Sequence, residues 1–205
     1  MNTMDTDYLV VGAGAAGMAF TDALIGASDA DVVMVDRRAA PGGHWHDAYP
    51  FVRLHQPSAT YGVNSRPLGN DALDTLGSDA GFYERATAGE ICGYYQKVLD
   101  EVLLPSGQVR FQGMCEYTGD FAREHVFTSR LTGLSTRVRV RRKVVDTTYL
   151  EASVPATHKP AFTVDAGVRF MPVGALVHMD DAPGGYTILG GGKTAMDACY
   201  WLLEH

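Results

Sequence analysis

Cysteine is scarce in this chain: three residues in 205, Cys92, Cys115 and Cys199, odd in number and far apart. That usage excludes a disulfide-built scaffold and fits a reducing compartment, so a cytoplasmic location is expected. Positive charge is also short, with 17 Lys and Arg against 24 Asp and Glu and a net charge of −7. Nucleic acids attract a basic footprint, so binding to them is not expected. Long apolar runs are missing too, none approaching the roughly 18 residues of a membrane span. The opening, Met1 to Asp7, is acidic and lacks the basic start of a secretory leader. No Cys-x-x-Cys pair occurs, which removes a dithiol redox centre, and no Gly-x-Ser-x-Gly elbow occurs for a serine hydrolase. His44, His46 and His55 lie close together but lack a recognised ligand spacing, so no metal is expected.

What is present is an ordinary globular composition, 46% hydrophobic and 20% charged. A chain of this length can bury roughly 70% of its unfolded surface and needs no staples. Its first forty residues carry the strongest pattern. Tyr8 to Val11 is a short apolar run entering Gly12-Ala13-Gly14-Ala15-Ala16-Gly17; a helix-favouring stretch, Met18 to Ile25, follows, and Val32 to Val35 ends at Asp36. Strand, glycine turn, helix and strand make the first half of a doubly wound nucleotide-binding fold. Gly12 allows the tight turn, Gly14 lets the backbone approach a pyrophosphate, and Gly17 permits close helix packing. Amides at the helix start face the phosphates, aided by the helix dipole. Asp36 stands where a carboxylate accepts from ribose hydroxyls and repels a 2′-phosphate, which favours FAD or NAD at this site. The alternative is a surface acid that caps the strand end.

Beyond Asp36 come Arg37, a short loop, Gly42-Gly43-His44-Trp45, and then His55-Gln56-Pro57-Ser58. An acid, a loop and Gly-Gly-x-Trp resemble the FAD-binding flavoproteins of the flavin-containing monooxygenase type, whose acid is more often Glu. The resemblance implies that Asp36 and Arg37 contact the cofactor and that Gly42, Gly43 and Trp45 sit at the flavin. It also puts His55, Gln56 and Ser58 nearby and makes the backbone of Met114 a contact for the adenine end. Glycines allow close approach, and an indole offers a flat wall to a ring system.

Tyr61 to Ala86 reads as irregular connection. Thr87-Ala88-Gly89-Glu90 has the form of a capping box, and Ile91, Tyr94, Tyr95, Val98 and Val102 then recur at helical spacing as core residues. Val109 to Phe111 predicts a third parallel strand. His125 to Val145 predicts an antiparallel hairpin or meander, in which alternation with valine turns Arg137, Arg139 and Arg141 to solvent. Val144 to Thr148 stands where the resembling family returns to its nucleotide sheet with Ala-Thr-Gly, Thr148 replacing the glycine.

A second turn follows Tyr186 to Leu189: Gly190-Gly191-Gly192-Lys193-Thr194-Ala195, opening a helical stretch to Leu203. Gly190, Gly192 and Ala195 satisfy the GxGxxA form of the dinucleotide turn. A nucleoside-triphosphate phosphate loop needs GxxxxGK[ST], and Thr187 occupies the position of its first glycine. Upstream, Gly174 and His178 keep the Gly-to-His spacing of the monooxygenase fingerprint FxGxxxH, with Phe170 displaced. The expected fold is α/β. Residues 1–165 form a doubly wound Rossmann-like FAD-binding domain with an antiparallel β-meander, and residues 166–205 the incomplete beginning of an NAD(P)-binding domain. The stop at His205 predicts a fragment whose last helix lacks partner surface for Trp201, Leu202 and Leu203 and frays. The expected function is an FAD-dependent, NAD(P)H-linked oxidoreductase, monooxygenase-like and acting on a small molecule. A truncated, non-catalytic dinucleotide-binding module is the alternative. No side chain is assigned as a general acid or base; substrate, NADPH against NADH and oligomeric state are not read from the sequence.

Overall fold

The computed structural model describes residues 2–122, 124–148, 154–181 and 183–205. Met1, in the acidic opening, and residues 149–153, inside the first expected domain, lie outside them. Six strands form one sheet: β1 (Asn2–Val11), β2 (Val32–Val35), β3 (Val109–Gln112), β4 (Cys115–Tyr117), β5 (Val126–Ser129) and β6 (Ser135–Asp146). Their order across the sheet is β3-β2-β1-β6-β5-β4. The β3-β2-β1-β6 part is parallel, and β6-β5-β4 is antiparallel.

Strand β2 and the end of β1 are buried on both faces, which is why Val32–Val35 and Leu9–Val11 are continuous apolar runs rather than alternations. Val32, Val33 and Met34 are fully buried and Val35 nearly so. Each such side chain contributes about 1.5–3 kcal/mol of burial. Side chains alternate across the sheet. Val10, Val32 and Met34 join the helical side, while Leu9, Val11, Val33 and Val35 meet Cys115, Phe127 and Val138 on the other.

Helix α1 (Ala15–Ala27) crosses from β1 to β2 and buries Gly17, Met18, Thr21 and Asp22. A buried carboxylate needs partners, and Asp22 accepts from the amide of Ser65 at 3.0 Å and from its hydroxyl, which fastens the long loop to α1. Helix α2 (Ala88–Val98) opens on the expected capping box of Thr87 and Glu90. It runs on through a π-helical turn at Leu99–Leu103, so that Leu99 and Leu103 stay on the buried side with Ile91, Tyr95 and Val98. Tyr94 and Tyr95 are core residues. The segment between Tyr61 and Ala86 is irregular, tied by the bridges Val63–Arg66 and Leu73–Tyr83.

Strand β6 does more than the sequence pattern indicates. Its first residues complete the meander with β5, and most of its length pairs in parallel with β1, from Asn2 against Thr136 to Val11 against Asp146 with a register shift between Thr6 and Tyr8. Meander and return strand are therefore one twelve-residue element. Its arginines face solvent and are answered by acids: Arg141 meets Asp7 at 2.9 Å and Asp31 at 3.1 Å, and Arg137 meets Glu124 at 2.6 Å. The Arg141 guanidinium holds the Asp7 carboxyl below its ordinary value.

Helix α3 (Lys193–Glu204) follows the second glycine turn, but residues 186–189 make no ladder pairing with the sheet. The helix docks through Ala195 and Ala198, both buried, and Trp201 stacks on Phe51 at 5.4 Å. Trp201 thus has a partner that the sequence did not disclose, while Leu203 remains 86% exposed. Among the described residues no helix is long and apolar enough to cross a membrane.

Candidate dinucleotide-binding site

The first glycine turn joins β1 to α1. Gly12 donates its amide to the Val35 carbonyl at 2.8 Å, and Ala13 donates to Asp36 Oδ2 at 2.6 Å. Gly14 is the N-cap of α1; no side chain caps the helix and no acid stands in its first turn. Its first amides lack acceptors within the helix, so an anion finds both donors and the positive dipole end there. Gly17 is required by contact. A Cβ there would stand 2.0 Å from the Gly12 carbonyl oxygen, so the tight approach is between helix and turn.

Gly42 and Gly43 pack against this turn. Gly42 donates to the Ala13 carbonyl at 2.9 Å with φ +129°, and a Cβ on Gly43 would come 2.9 Å from the Gly14 Cα. The two glycine segments expected at the cofactor are therefore in mutual contact. A 3₁₀ turn over Gly43–Asp47 then presents Trp45, whose indole donates to the Tyr61 hydroxyl at 2.7 Å and meets that ring edge-on at 5.9 Å. The indole plane is thereby fixed. His46 Nε2 lies 2.9 Å from the Pro41 carbonyl, which can only accept, so Nε2 carries the proton and Nδ1 faces Cys92 Sγ at 3.7 Å. Burial, with Arg38 nearby, lowers the pKa of His44. No group of three or more metal-ligating side chains occurs among the described residues.

Four of the expected contact residues have hydrogen-bond partners within the chain. Asp36 is no surface cap: it is 6% exposed, and its two carboxylate oxygens accept from the amides of Ala13 and Arg38. Each oxygen keeps a second lone pair, but the side chain first braces the turn. The peptide groups of Met114 are also engaged, its amide on the Arg38 carbonyl at 2.9 Å and its carbonyl under the Arg130 amide at 2.7 Å, with φ +53°. Ser58 is buried, and its hydroxyl accepts from the Ala86 amide at 2.8 Å. Arg37 is exposed, and its carbonyl accepts from Arg130 at 3.1 Å.

A cavity of about 650 Å³ gathers most of the rest. Trp45, His55, Gln56, Gly174 and His178 line it, together with Lys193 and Thr194 from the second glycine turn. Phe170 is not among its walls; it is half-exposed against Phe162 at 5.4 Å. In the second turn Gly190 has φ +134°, and Gly192 caps α3 with no side-chain partner and no acid in the first turn. The sequence reading missed Tyr49, Tyr61 and Asp197. Tyr49 donates to Asp197 Oδ2 at 2.6 Å, and the Lys193 ammonium donates to the same carboxylate, which joins α3 to the cavity wall. The i,i+4 spacing of Lys193 and Asp197 signals the second bond; nothing in the sequence signals the first.

Parallel strands, a glycine turn and an uncapped helix start define a Rossmann-like dinucleotide-binding domain of the α/β class. Residues 10–66 match the family described as NAD(P)-binding Rossmann-like domain. The chain is 50% identical over 203 residues to uncharacterised proteins of Mycobacterium tuberculosis and Mycobacterium bovis, covering 99% of this chain and 37% of each relative. It therefore spans little more than a third of the curated relatives it matches. Similar solved structures include a flavin-containing monooxygenase from Stenotrophomonas maltophilia (19% identity, TM-score 0.49, 72% of this chain and 39% of that one). Another is a cyclohexanone monooxygenase from Rhodococcus sp. Phi1 bound to NADP+ (22%, 0.46, 72% and 26%).

Proposed function

We propose that the chain is the cofactor-binding part of an FAD-dependent, NAD(P)H-linked oxidoreductase, monooxygenase-like and acting on a small molecule. The observation that carries this reading is the shared cavity: Trp45, His55 and Gln56, from the loop behind Gly42-Gly43, and Lys193 and Thr194, from the start of α3, line one space. A hydride donor and its acceptor need such a meeting place. The first turn fits a diphosphate, because its glycines leave no side chain over an uncapped helix start. Gly12, Gly14 and Gly17 hold that diphosphate, with Gly42 and Gly43 against it. Trp45, its plane set by Tyr61, and Gln56 border the ring end. Gly190, Gly192 and Ala195 hold the nicotinamide dinucleotide. FAD held at the first turn would supply two-electron chemistry, and the protein orientation and exclusion of water. Residues 1–165 carry the FAD site and residues 166–205 the start of the NAD(P) site. Nucleic acid is no partner in this reading, since the arginines of β6 are answered by Asp7, Asp31 and Glu124.

A second reading, a dinucleotide-binding module without turnover, is favoured by one observation. The second turn is open: a Cβ on Gly191 or Gly192 would meet nothing within 4 Å, and Leu189 is 65% exposed. One experiment separates the two. The chain is loaded with FAD, freed of excess, and titrated with NADPH and NADH without oxygen while the flavin band is followed. Retained FAD that bleaches supports the oxidoreductase; retained FAD that does not bleach supports the module. A colourless chain that gives no calorimetric heat with FAD, ADP or NAD overturns both.

A further inference from the structure

We propose that Thr147, just past the far end of β6 and outside either glycine motif, is the positioning residue that presets the first dinucleotide turn for a diphosphate. The inference rests on the reading of that turn as a diphosphate site. Two consecutive peptide units make up the bend, Val11–Gly12 and Gly12–Ala13. Thr147 holds one side of both. Its amide donates to the Val11 carbonyl at 3.0 Å, and its hydroxyl lies 2.7 Å from the Val11 carbonyl and 3.1 Å from that of Gly12. The opposite side of both units is held by the end of β2: the Gly12 amide on the Val35 carbonyl at 2.8 Å, the Ala13 amide on Asp36 Oδ2 at 2.6 Å.

A trans peptide points its carbonyl and its N–H in opposite directions, so pinning both ends of a unit fixes its plane. The Gly12 carbonyl is the sensitive one. It is wedged where a Cβ on Gly17 would stand 2.0 Å from it, and the Thr147 hydroxyl would meet a Cβ on Gly12 at 2.6 Å. Glycine has the widest backbone freedom of any residue, so an unclamped Gly12 can turn its carbonyl, a negative dipole end, toward the space a diphosphate would fill. The one proton of the Thr147 hydroxyl, shared between the two carbonyls, favours their facing away. The glycines create the room, and Thr147 with Asp36 decides which way the dipoles in that room point.

The test compares Thr147→Val, which removes the hydroxyl and keeps the branched shape, with Thr147→Ser, which keeps the hydroxyl. Calorimetric affinity is measured for ADP, FAD and adenosine on the full chain, with thermal melting alongside. The expected result is ADP and FAD binding weakened roughly five- to tenfold by Thr147→Val, adenosine binding unchanged, and Thr147→Ser within about twofold of the parent for all three. If Thr147→Val does not fold, Thr147→Ala carries the same comparison. Unchanged ADP affinity in the valine variant overturns the inference and leaves the diphosphate reading intact. So does a serine variant as weak as valine, or an equal loss for adenosine, which marks general loosening. A parent chain that binds neither ADP nor FAD overturns inference and reading together.

Discussion

The hydroxyl of Tyr49 donates to Asp197 across 2.6 Å and 148 positions of sequence, fastening the last helix to the loop behind the first glycine turn. Burial, reinforced by the carboxylate of Asp197, raises the Tyr49 pKa above the ordinary tyrosine value. A raised folded-state pKa means that the contribution is complete below the unfolded value, about 10, and disappears as pH climbs through the folded one. Tyr49→Phe is therefore expected to cost about 1 kcal/mol at neutral pH and to melt with a shallower alkaline decline than the parent. Thermal denaturation of both proteins at neutral pH and above pH 10 checks this, and parallel alkaline curves refute it.

Two glycines on one helix are expected to respond in opposite directions. Gly17→Ala places a methyl 2.0 Å from the Gly12 carbonyl, and the turn must open to admit it. Gly26→Ala, near the exposed end of α1, meets nothing within 4 Å. The first is expected to lower stability by about 2 kcal/mol or more and to abolish ADP binding. The second is expected to raise stability by about 0.5–1 kcal/mol through helix propensity, with ADP binding unchanged. Urea midpoints and ADP titrations of the two variants decide the matter.

At the start of α2, Glu90 accepts from the Thr87 amide at 2.7 Å, and that bond lowers the Glu90 pKa. A depressed carboxylate contributes above its unfolded value of about 4.3 and loses the contribution as pH falls through the folded value. Glu90→Gln is accordingly expected to flatten the acid limb of the stability profile relative to the parent. Thr87→Ala, which removes the reciprocal cap, is expected to cost about 1 kcal/mol at pH 7. Melting temperatures between pH 3 and 7 test both expectations.

Local signals account for what was legible in the sequence. The Gly12–Gly17 turn, the apolar strands around it and the Thr87–Glu90 cap are set by neighbours within a few residues, and the structure has them where the pattern puts them. Asp36 shows where such reading stops. Its place at the end of β2 is plain from the spacing, yet whether its oxygens face a ribose or the amides of Ala13 and Arg38 depends on a fold of the backbone that no spacing reports. Tyr49 meeting Asp197, Trp45 meeting Tyr61 and Thr147 meeting Val11 are contacts between distant segments, and no periodicity encodes them. The double duty of β6 was only half legible: the family resemblance put Val144 to Thr148 at the nucleotide sheet, whereas alternating Arg and Val specify a one-sided face but not a second partner along the rest of the strand.

That shared strand has a bearing on how the molecule comes into being. Thr147, which closes the ladder over Val11, lies 136 positions further along the chain. A ribosome adding about 5–20 residues per second needs roughly 7–27 seconds to bridge that interval. Throughout it one flank of β1, rich in Val and Leu, is an uncovered ladder edge of the kind that recruits other chains. The native partner of that flank therefore arrives last, and shielding it until then is expected to favour the yield of native molecules.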